Sequence, residues 1–318
     1  MRTTILKSLN RITAAAAAFC MAASLCGCGT GGKNDDGDGG KLSVITTIYP
    51  AYDFARQVFG DTAEVTLLLK PGTESHTYDP SAKDVVKINS CDLFIYNGGE
   101  SDRWVDSILE GTGEIKTLRM MDTVELCEEH HDEEEHDHSH ETEEYDEHIW
   151  TSPVNAAAIV DAVEKAACEV SPENAELFKS NADSYEAAIG DLDGRFRELF
   201  DGEERCFIFG DRFPLLYFFE EYGLRHESAF PGCGSEVEPS AQTISHLLER
   251  LSEEDAVKRV FCIELSNHKL ADTLAEDSGL TVSEFHACHN ITADDLAAGE
   301  TYLTLMERNY TMLSEVLS

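Results

Sequence analysis

Between Glu128 and His148 the chain reads EEHHDEEEHDHSHETEEYDEH, histidine and carboxylate with no lysine or arginine among them. Six of the chain's 12 histidines fall here: His130, His131, His136, His138, His140 and His148. Imidazole nitrogen and carboxylate oxygen are ligands that divalent zinc accepts, so a tract of this composition attracts metal. Glutamate and aspartate alone would read equally as a solvated acidic loop, but the density of histidine argues against a purely solvating role. The tract runs into His148-Ile149-Trp150-Thr151-Ser152-Pro153, more ordered sequence where a structural site can begin. A further histidine, His76, stands in Pro71-Gly72-Thr73-Glu74-Ser75-His76-Thr77-Tyr78-Asp79-Pro80, a loop after an apolar run. Open α/β sheets bind ligands at the carboxyl ends of their strands, which puts His76 where a ligand belongs. One loop histidine is ordinarily a surface residue. Here the arrangement recurs, because His148 and His286 also fall in loop-like sequence, His286 just after a strand-like run.

Those loops need elements to position them. Lys41 to Ile48 is short and β-branched and reads as a buried strand, Tyr52 to Phe59 has helical spacing with Gly60 as its stop, and Ala63 to Leu69 is a second strand. Asp79-Pro80-Ser81 opens a helix through Ile88, and Asp92 to Tyr96 is a third strand. From Ser171-Pro172 to about Phe200, Leu177, Ala182, Tyr185, Ile189, Leu192, Phe196 and Leu199 recur at helical spacing, with Ser171 placed as N-cap. A helix of that length spans roughly 45 Å and suits a spine between two lobes. The alternation resumes with strands at Arg205 to Phe209, Arg259 to Ile263 and Thr281 to Phe285. Helices are expected at Pro214 to Tyr222, Pro239 to Leu251, Leu270 to Asp277 and Thr301 to Leu317. The fold class is therefore α/β: two similar parallel-sheet lobes joined by a long α-helix. A continuous helix resists hinge bending, so limited closure is expected.

Arg2, Lys7 and Arg11 precede an apolar stretch ending near Leu25, the pattern of a secretory signal and too short for a lasting membrane helix. Leu25-Cys26-Gly27-Cys28 resembles the bacterial lipobox, which implies that Cys28 is lipidated and begins the mature chain. The Gly- and Asp-rich stretch after it suits a flexible tether. The expected organisation is a signal at 1–27, a tether at 28–40, a first lobe at 41–170 carrying the acidic histidine loop at 127–147, a connecting helix at 171–202 and a second lobe at 203–318. A formal charge of -38 sets nucleic acid aside as a partner, since phosphate would be repelled, and favours cations near the surface. The cysteine spacings give no dense disulfide framework and no CxxC pair. Cys91, Cys168, Cys206 and Cys262 sit in apolar surroundings as small core residues, whereas Cys233 and Cys288 lie in loop-like sequence and are candidates to pair.

In these segments the chain resembles the solute-binding lipoproteins of bacterial ABC importers for zinc and manganese, the ZnuA/TroA-like group. Ile45-Thr46-Thr47-Ile48-Tyr49-Pro50 with Tyr52-Asp53-Phe54 is similar to the group's first strand and helix. Gly72 to Pro80 resembles its G-x-x-x-H-x-[YF]-[DE]-P motif, which implies His76 as a metal ligand. Asp92-Leu93-Phe94-Ile95-Tyr96-Asn97-Gly98 with Trp104 is similar to the segment that follows. Asp146 to Pro153 resembles D-P-H-I-W-x-S-P with Glu147 in place of proline, which implies His148 as a second ligand. Where the group shows His-Asp-Ala-Phe-x-Tyr, this chain has Gly210-Asp211-Arg212-Phe213, so the histidine is missing and Asp211 either substitutes as ligand or pairs with a cation such as Arg212. The group's last ligand is an acid after the final strand. Here Phe285-His286-Ala287-Cys288-His289 stands, with His286 the first choice and His289 the second. A Cys288 thiolate would bind zinc strongly unless it is paired with Cys233. Glu264, after a strand, is placed to orient a ligand histidine through its free ring nitrogen. His226, His246 and His268 have no motif around them and read as surface residues.

The resemblance implies a TroA-like periplasmic-binding fold, lipid-anchored on the extracytoplasmic face of the cell membrane and monomeric. Such a protein captures zinc between its lobes at His76, His148, His286 and Asp211 and hands it to an ABC permease and its ATPase. A histidine-rich set completed by oxygen favours zinc, while manganese prefers more carboxylate and water. Manganese or iron at the same fold is an alternative. So is a secreted zinc hydrolase, for which three histidines with Glu74 or Glu264 would imitate a catalytic zinc. No HExxH, GxSxG or nucleophile–base spacing accompanies it, and no enzyme is expected. A surface metal store or adhesin is a third class. The tract is expected to act as a weak antenna, so deletion of 128–147 should leave the tight site intact; loss of that site would refute the idea.

Overall fold

The structure is a computed structural model describing residues 40–73, 76, 78–111, 113, 115–128, 145–230 and 239–318. The first lobe runs β1 (Leu42–Thr46), α1 (Tyr49–Phe59), β2 (Ala63–Leu67), α2 (Ala82–Ile88), β3 (Leu93–Tyr96), α3 (Trp104–Glu110) and β4 (Thr117–Arg119). Two long helices follow, α4 (Pro153–Val170) and α5 (Ala175–Leu199). The second lobe runs β5 (Cys206–Phe209), α6 (Leu216–Tyr222), β6 (Arg225–Ser228), α7 (Ala241–Ser252), β7 (Ala256–Ile263), α8 (Lys269–Ser278), β8 (Val282–Phe285), α9 (Ala293–Ala298) and α10 (Tyr302–Leu317).

Each lobe holds a four-stranded sheet, in the orders β2-β1-β3-β4 and β6-β5-β7-β8, and every pairing is parallel. The central strands LFIY of β3 and CFIF of β5 are apolar throughout because helices cover both faces. The edges are weaker: β6 reads RHES and is exposed or half-buried along its length. In both sheets the chain order reverses about the inner pair, β1 with β3 and β5 with β7. Loops leaving the carboxyl ends of an inner pair diverge and open a crevice.

The spine is shorter than its spacing predicts. Ser171 opens a single 3-10 turn, Pro172–Asn174, and donates its hydroxyl to Glu173 at 2.7 Å; α5 starts after it with no side-chain cap. Gly190 and Gly194 do not interrupt α5, because both lie on its exposed face and a Cβ at either would meet nothing. The helix buries Phe178, Ala182, Tyr185, Ile189, Leu192 and Phe196 in a core shared by both lobes, which reaches from Val44 and Phe54 to Phe209 and Phe285.

Asp53 of α1 anchors that union. It is fully buried and accepts from the Tyr185 hydroxyl at 2.7 Å, the Tyr302 amide at 2.9 Å and Gln57 at 3.1 Å. A carboxylate thus sits on the amino end of α10, where the helix dipole favours it, and ties three helices together. Of the cysteines read as core residues, Cys206 and Cys262 are buried, while Cys91 and Cys168 are half-buried.

Candidate metal centre

His76 reaches the crevice on the loop after β2. Leu68 and Leu69 extend that strand by donating to Thr46 and Thr47, and the chain turns at Gly72, whose φ of 76° suits glycine. The Gly72 amide crosses to the second lobe, donating to the carbonyl of Ile291 at 2.9 Å. The half-buried His76 ring has Nδ1 2.9 Å from Ser101 Oγ and 3.2 Å from Glu147 Oε1.

His148 is buried just before the single turn Ile149–Thr151. Asp146 Oδ1 accepts from both its backbone amide, at 2.7 Å, and its Nδ1, at 3.1 Å. Asp146 is itself fixed, since Tyr217 of α6 donates to its carbonyl at 2.9 Å while accepting the Cys127 amide at 3.0 Å. Trp150, fully buried, donates from Nε1 to the Ala287 carbonyl at 2.8 Å, and its ring packs 5.4 Å from that of His148 and 5.1 Å from that of His289.

The loop after β8 delivers His289. Glu264, at the end of β7, accepts the amides of Ala287 at 2.6 Å and His289 at 3.1 Å. Cys288 between them takes a φ of 58°, a turn that non-glycine residues rarely adopt. Burial, with the charges of His148, His76 and Arg212 adding to it, holds the His289 imidazole well below the usual histidine range. A neutral ring is the form that binds metal.

His76, His148 and His289 therefore meet, each offering a ring nitrogen no more than 4.8 Å from the other two. Their ring centroids lie 5.0, 5.5 and 6.1 Å apart. Tetrahedral zinc at about 2.05 Å from each nitrogen needs nitrogens about 3.4 Å apart, so shifts of about an ångström close the trio on an ion. With Nδ1 of His76 and of His148 turned to carboxylates, Nε2 is the atom each ring offers. A cavity of about 160 Å³ adjoins the trio, lined by His76, His289, Arg212, Glu264, Leu265 and Asn290 among others. At about 30 Å³ per water it leaves room for a fourth, exogenous ligand.

Two expected ligands stand elsewhere. His286 is held away by its own loop: its amide and carbonyl both bond Asn309 of α10 at 2.8 Å, and its Nδ1 accepts the Cys288 amide at 2.9 Å. The loop residue that joins His76 and His148 is His289, three positions on. Asp211 spends Oδ1 on the Arg212 amide at 2.8 Å and Oδ2 on the Ile263 amide at 3.2 Å, which laces the end of β5 to that of β7. Nor does Gly210 leave room for a histidine, since a Cβ there would come within 2.6 Å of the Ala271 backbone in α8. Glu264 acts on backbone amides, with His286 Nδ1 a long 3.7 Å away. Cys288 is a free, fully buried thiol pushed well above its ordinary pKa by burial, while Cys233 lies outside the described residues.

His130, His131, His136, His138, His140 and Glu74 also lie outside the described residues, as does Cys28. The described ends of the tract meet, Glu128 bridging Tyr145 in antiparallel fashion and the Asp146 amide donating to Cys127 at 3.1 Å. Asp146 and Glu147 thus belong to the centre, and a deletion meant to spare it must stop short of them. These two carboxylates and Ser101 were not anticipated as supports; for Asp146 and Glu147 their place directly before His148 was the available signal, and Ser101 carried none. His226, read as a surface residue, is half-buried and stacks on Phe213 with centroids 3.6 Å apart.

Two parallel-sheet lobes bridged by a long helix, with histidines from loops of both meeting in the crevice, define a two-lobed binding fold of the metal-site kind. The chain belongs to the family described as zinc-uptake complex component A, periplasmic (ZnuA), which it matches over residues 44–316. It is 33% identical over 282 residues to the zinc-binding lipoprotein AdcA of Streptococcus pneumoniae R6, covering 87% of this chain and 56% of AdcA, so it spans about half of that relative. It is 29% identical over 307 residues to the high-affinity zinc uptake system protein ZnuA of Bacillus subtilis 168, covering 95% of each. Among solved structures, the Zn(II)-bound ZnuA-like domain of S. pneumoniae AdcA superposes with a TM-score of 0.73 at 30% identity, covering 87% of this chain and 99% of that one.

Proposed function

We propose that this chain captures zinc at His76, His148 and His289 and delivers it to a membrane ABC permease and its ATPase. The observation that carries the proposal is the convergence of three ring nitrogens, from separate loops of two lobes, to within 4.8 Å. A set of nitrogen donors with one open position suits tetrahedral zinc, while manganese and iron(II) are less well served without carboxylate oxygen. The names and zinc-bound structures of the relatives support the same cargo. No helix among the described residues is long and apolar enough to cross a membrane, and in this reading attachment is through lipid on Cys28, on the extracytoplasmic face, with a monomeric working unit. The histidine tract is a separate, weaker collector. Glu264 serves this reading as a backbone anchor, each of its oxygens accepting an amide of the loop that carries His289.

Titration of the protein with zinc and with manganese against a competing chelator tests this, on wild type and on His76→Ala. One tight zinc site, weakened about 10²- to 10³-fold in the variant and weaker for manganese, is the expected result. Weak sites alone, unchanged by His76→Ala, would refute it.

A further inference from the structure

Glu147 is a carboxylate at 7% exposure, a position that costs free energy unless the charge is met. Two elements are shaped around it. From the loop after β3, Ser101 donates its amide to Oε2 at 3.0 Å and its hydroxyl to Oε1 in a short hydrogen bond. Gly99 in the same loop has a φ of 79°, and a Cβ there would stand 2.7 Å from Oε2. Asn97 fixes the backbone of Glu147, donating to its carbonyl at 2.8 Å. Among the described residues it also meets His76, whose Nδ1 lies 3.2 Å from Oε1 and 2.9 Å from the hydroxyl of Ser101. The carboxylate therefore lies against the Nδ1 edge of the ring.

Imidazole binds metal as the neutral ring, so the trio brings no negative charge to an ion. A divalent ion held there brings two positive charges into a half-buried crevice, and no carboxylate joins the trio among the described residues. The compensating charge lies one bond further out. Asp146 backs His148 through Nδ1, and Glu147 backs His76 in the same way. A carboxylate accepting Nδ1–H fixes the tautomer that leaves Nε2 free for metal, and makes the ring a stronger donor.

We propose that Glu147, set by Ser101, is the positioning and charge-balancing residue for His76, and that the affinity of the centre depends on its negative charge. This rests on the zinc-capture reading above. The test is chelator competition with zinc on wild type, Glu147→Gln, Ser101→Ala, His76→Ala and the double variant Glu147→Gln/His76→Ala, with melting temperatures of the metal-free proteins beside it. Glu147→Gln keeps the shape and removes the charge. It should weaken zinc binding about 10- to 100-fold with the metal-free melting temperature unchanged, and Ser101→Ala should shift affinity in the same direction. In the His76→Ala background the glutamine should cost nothing further, since its effect passes through the ring; a merely structural role would cost the same in both. Wild-type affinity in both Glu147→Gln and Ser101→Ala, with the tight site weakened in His76→Ala, overturns the role of Glu147 and leaves zinc capture standing. An equal loss from Glu147→Gln in both backgrounds also overturns it. A wild type without a tight zinc site removes the reading on which it rests.

Discussion

Alanine at His289 and alanine at His286 should damage different properties, although the residues share one loop. His289 contributes one of three nitrogens to the centre. A structural zinc is bound by about 10–16 kcal/mol, and dividing that among three histidines and one exogenous ligand assigns roughly 3–4 kcal/mol to each. At about 1.4 kcal/mol per factor of ten, His289→Ala should weaken zinc binding by about 10²- to 10³-fold. Its metal-free stability should barely change, because the amide bonded to Glu264 remains. His286 contributes no nitrogen to the trio but accepts the buried Cys288 amide at 2.9 Å, in a turn already at a φ of 58°. His286→Ala leaves that amide unsatisfied, which costs about 1–3 kcal/mol of folding free energy and lowers the melting temperature by about 2–4 °C per kcal/mol. Chelator competition reads the first effect, and thermal unfolding with and without zinc reads the second. If His286→Ala loses the tight site and His289→Ala keeps it, the assignment of the loop is inverted and the reasoning fails.

Three further outcomes follow from the structure. Burial against Phe213 and Phe219 holds His226 down from 6.5 to about 4, so the unfolded chain takes up a proton that the folded one resists. Stability should be full above pH 6.5 and fall by at most about 3 kcal/mol as the pH drops toward 4; denaturant melts of His226→Phe should lack that loss, and an unaltered profile would refute it. Gly210→His, which restores the family-like histidine, should not tighten zinc binding and should lower the folding free energy read from denaturant melts by about 1–3 kcal/mol, because its Cβ would meet the Ala271 backbone at 2.6 Å. Removing 129–144 should abolish weak metal sites and spare the tight one in equilibrium titration, whereas removing 128–147 takes Asp146 and Glu147 and should cost the tight site as well.

The alternation of strands and helices was legible because apolar runs punctuated by Gly and Pro mark central strands strongly. β4 and β6 were not, since TLR and RHES carry no apolar alternation. Among site residues, His76 and His148 stood out because each is embedded in turn-forming or aromatic sequence that fixes where the ring goes. The choice between His286 and His289 depended on one left-handed residue, Cys288, and on Asn309 seizing the backbone of His286 from a helix more than twenty positions away. Neither is a local signal. Asp211 misled for a related reason: a carboxylate after a strand serves a metal or a neighbouring strand's amide equally well, and only the register of β5 against β7 decides.

The core shared by the two sheets bears on how a bound ion can leave. Asp53, Tyr185 and Tyr302 join helices of both halves and the largest apolar cluster runs through both, so although each lobe also holds a smaller cluster of its own, denaturation should proceed as one cooperative transition. His148 and His289 are built into that unit, since their neighbours Ile149, Trp150, Ala287 and Cys288 belong to the shared core, whereas His76 sits on the loop after β2 outside it. Residence time of the ion and lifetime of the fold should then be separable at one loop only. Substitutions in the aromatic interior should change both, and substitutions in the loop after β2 the residence time alone.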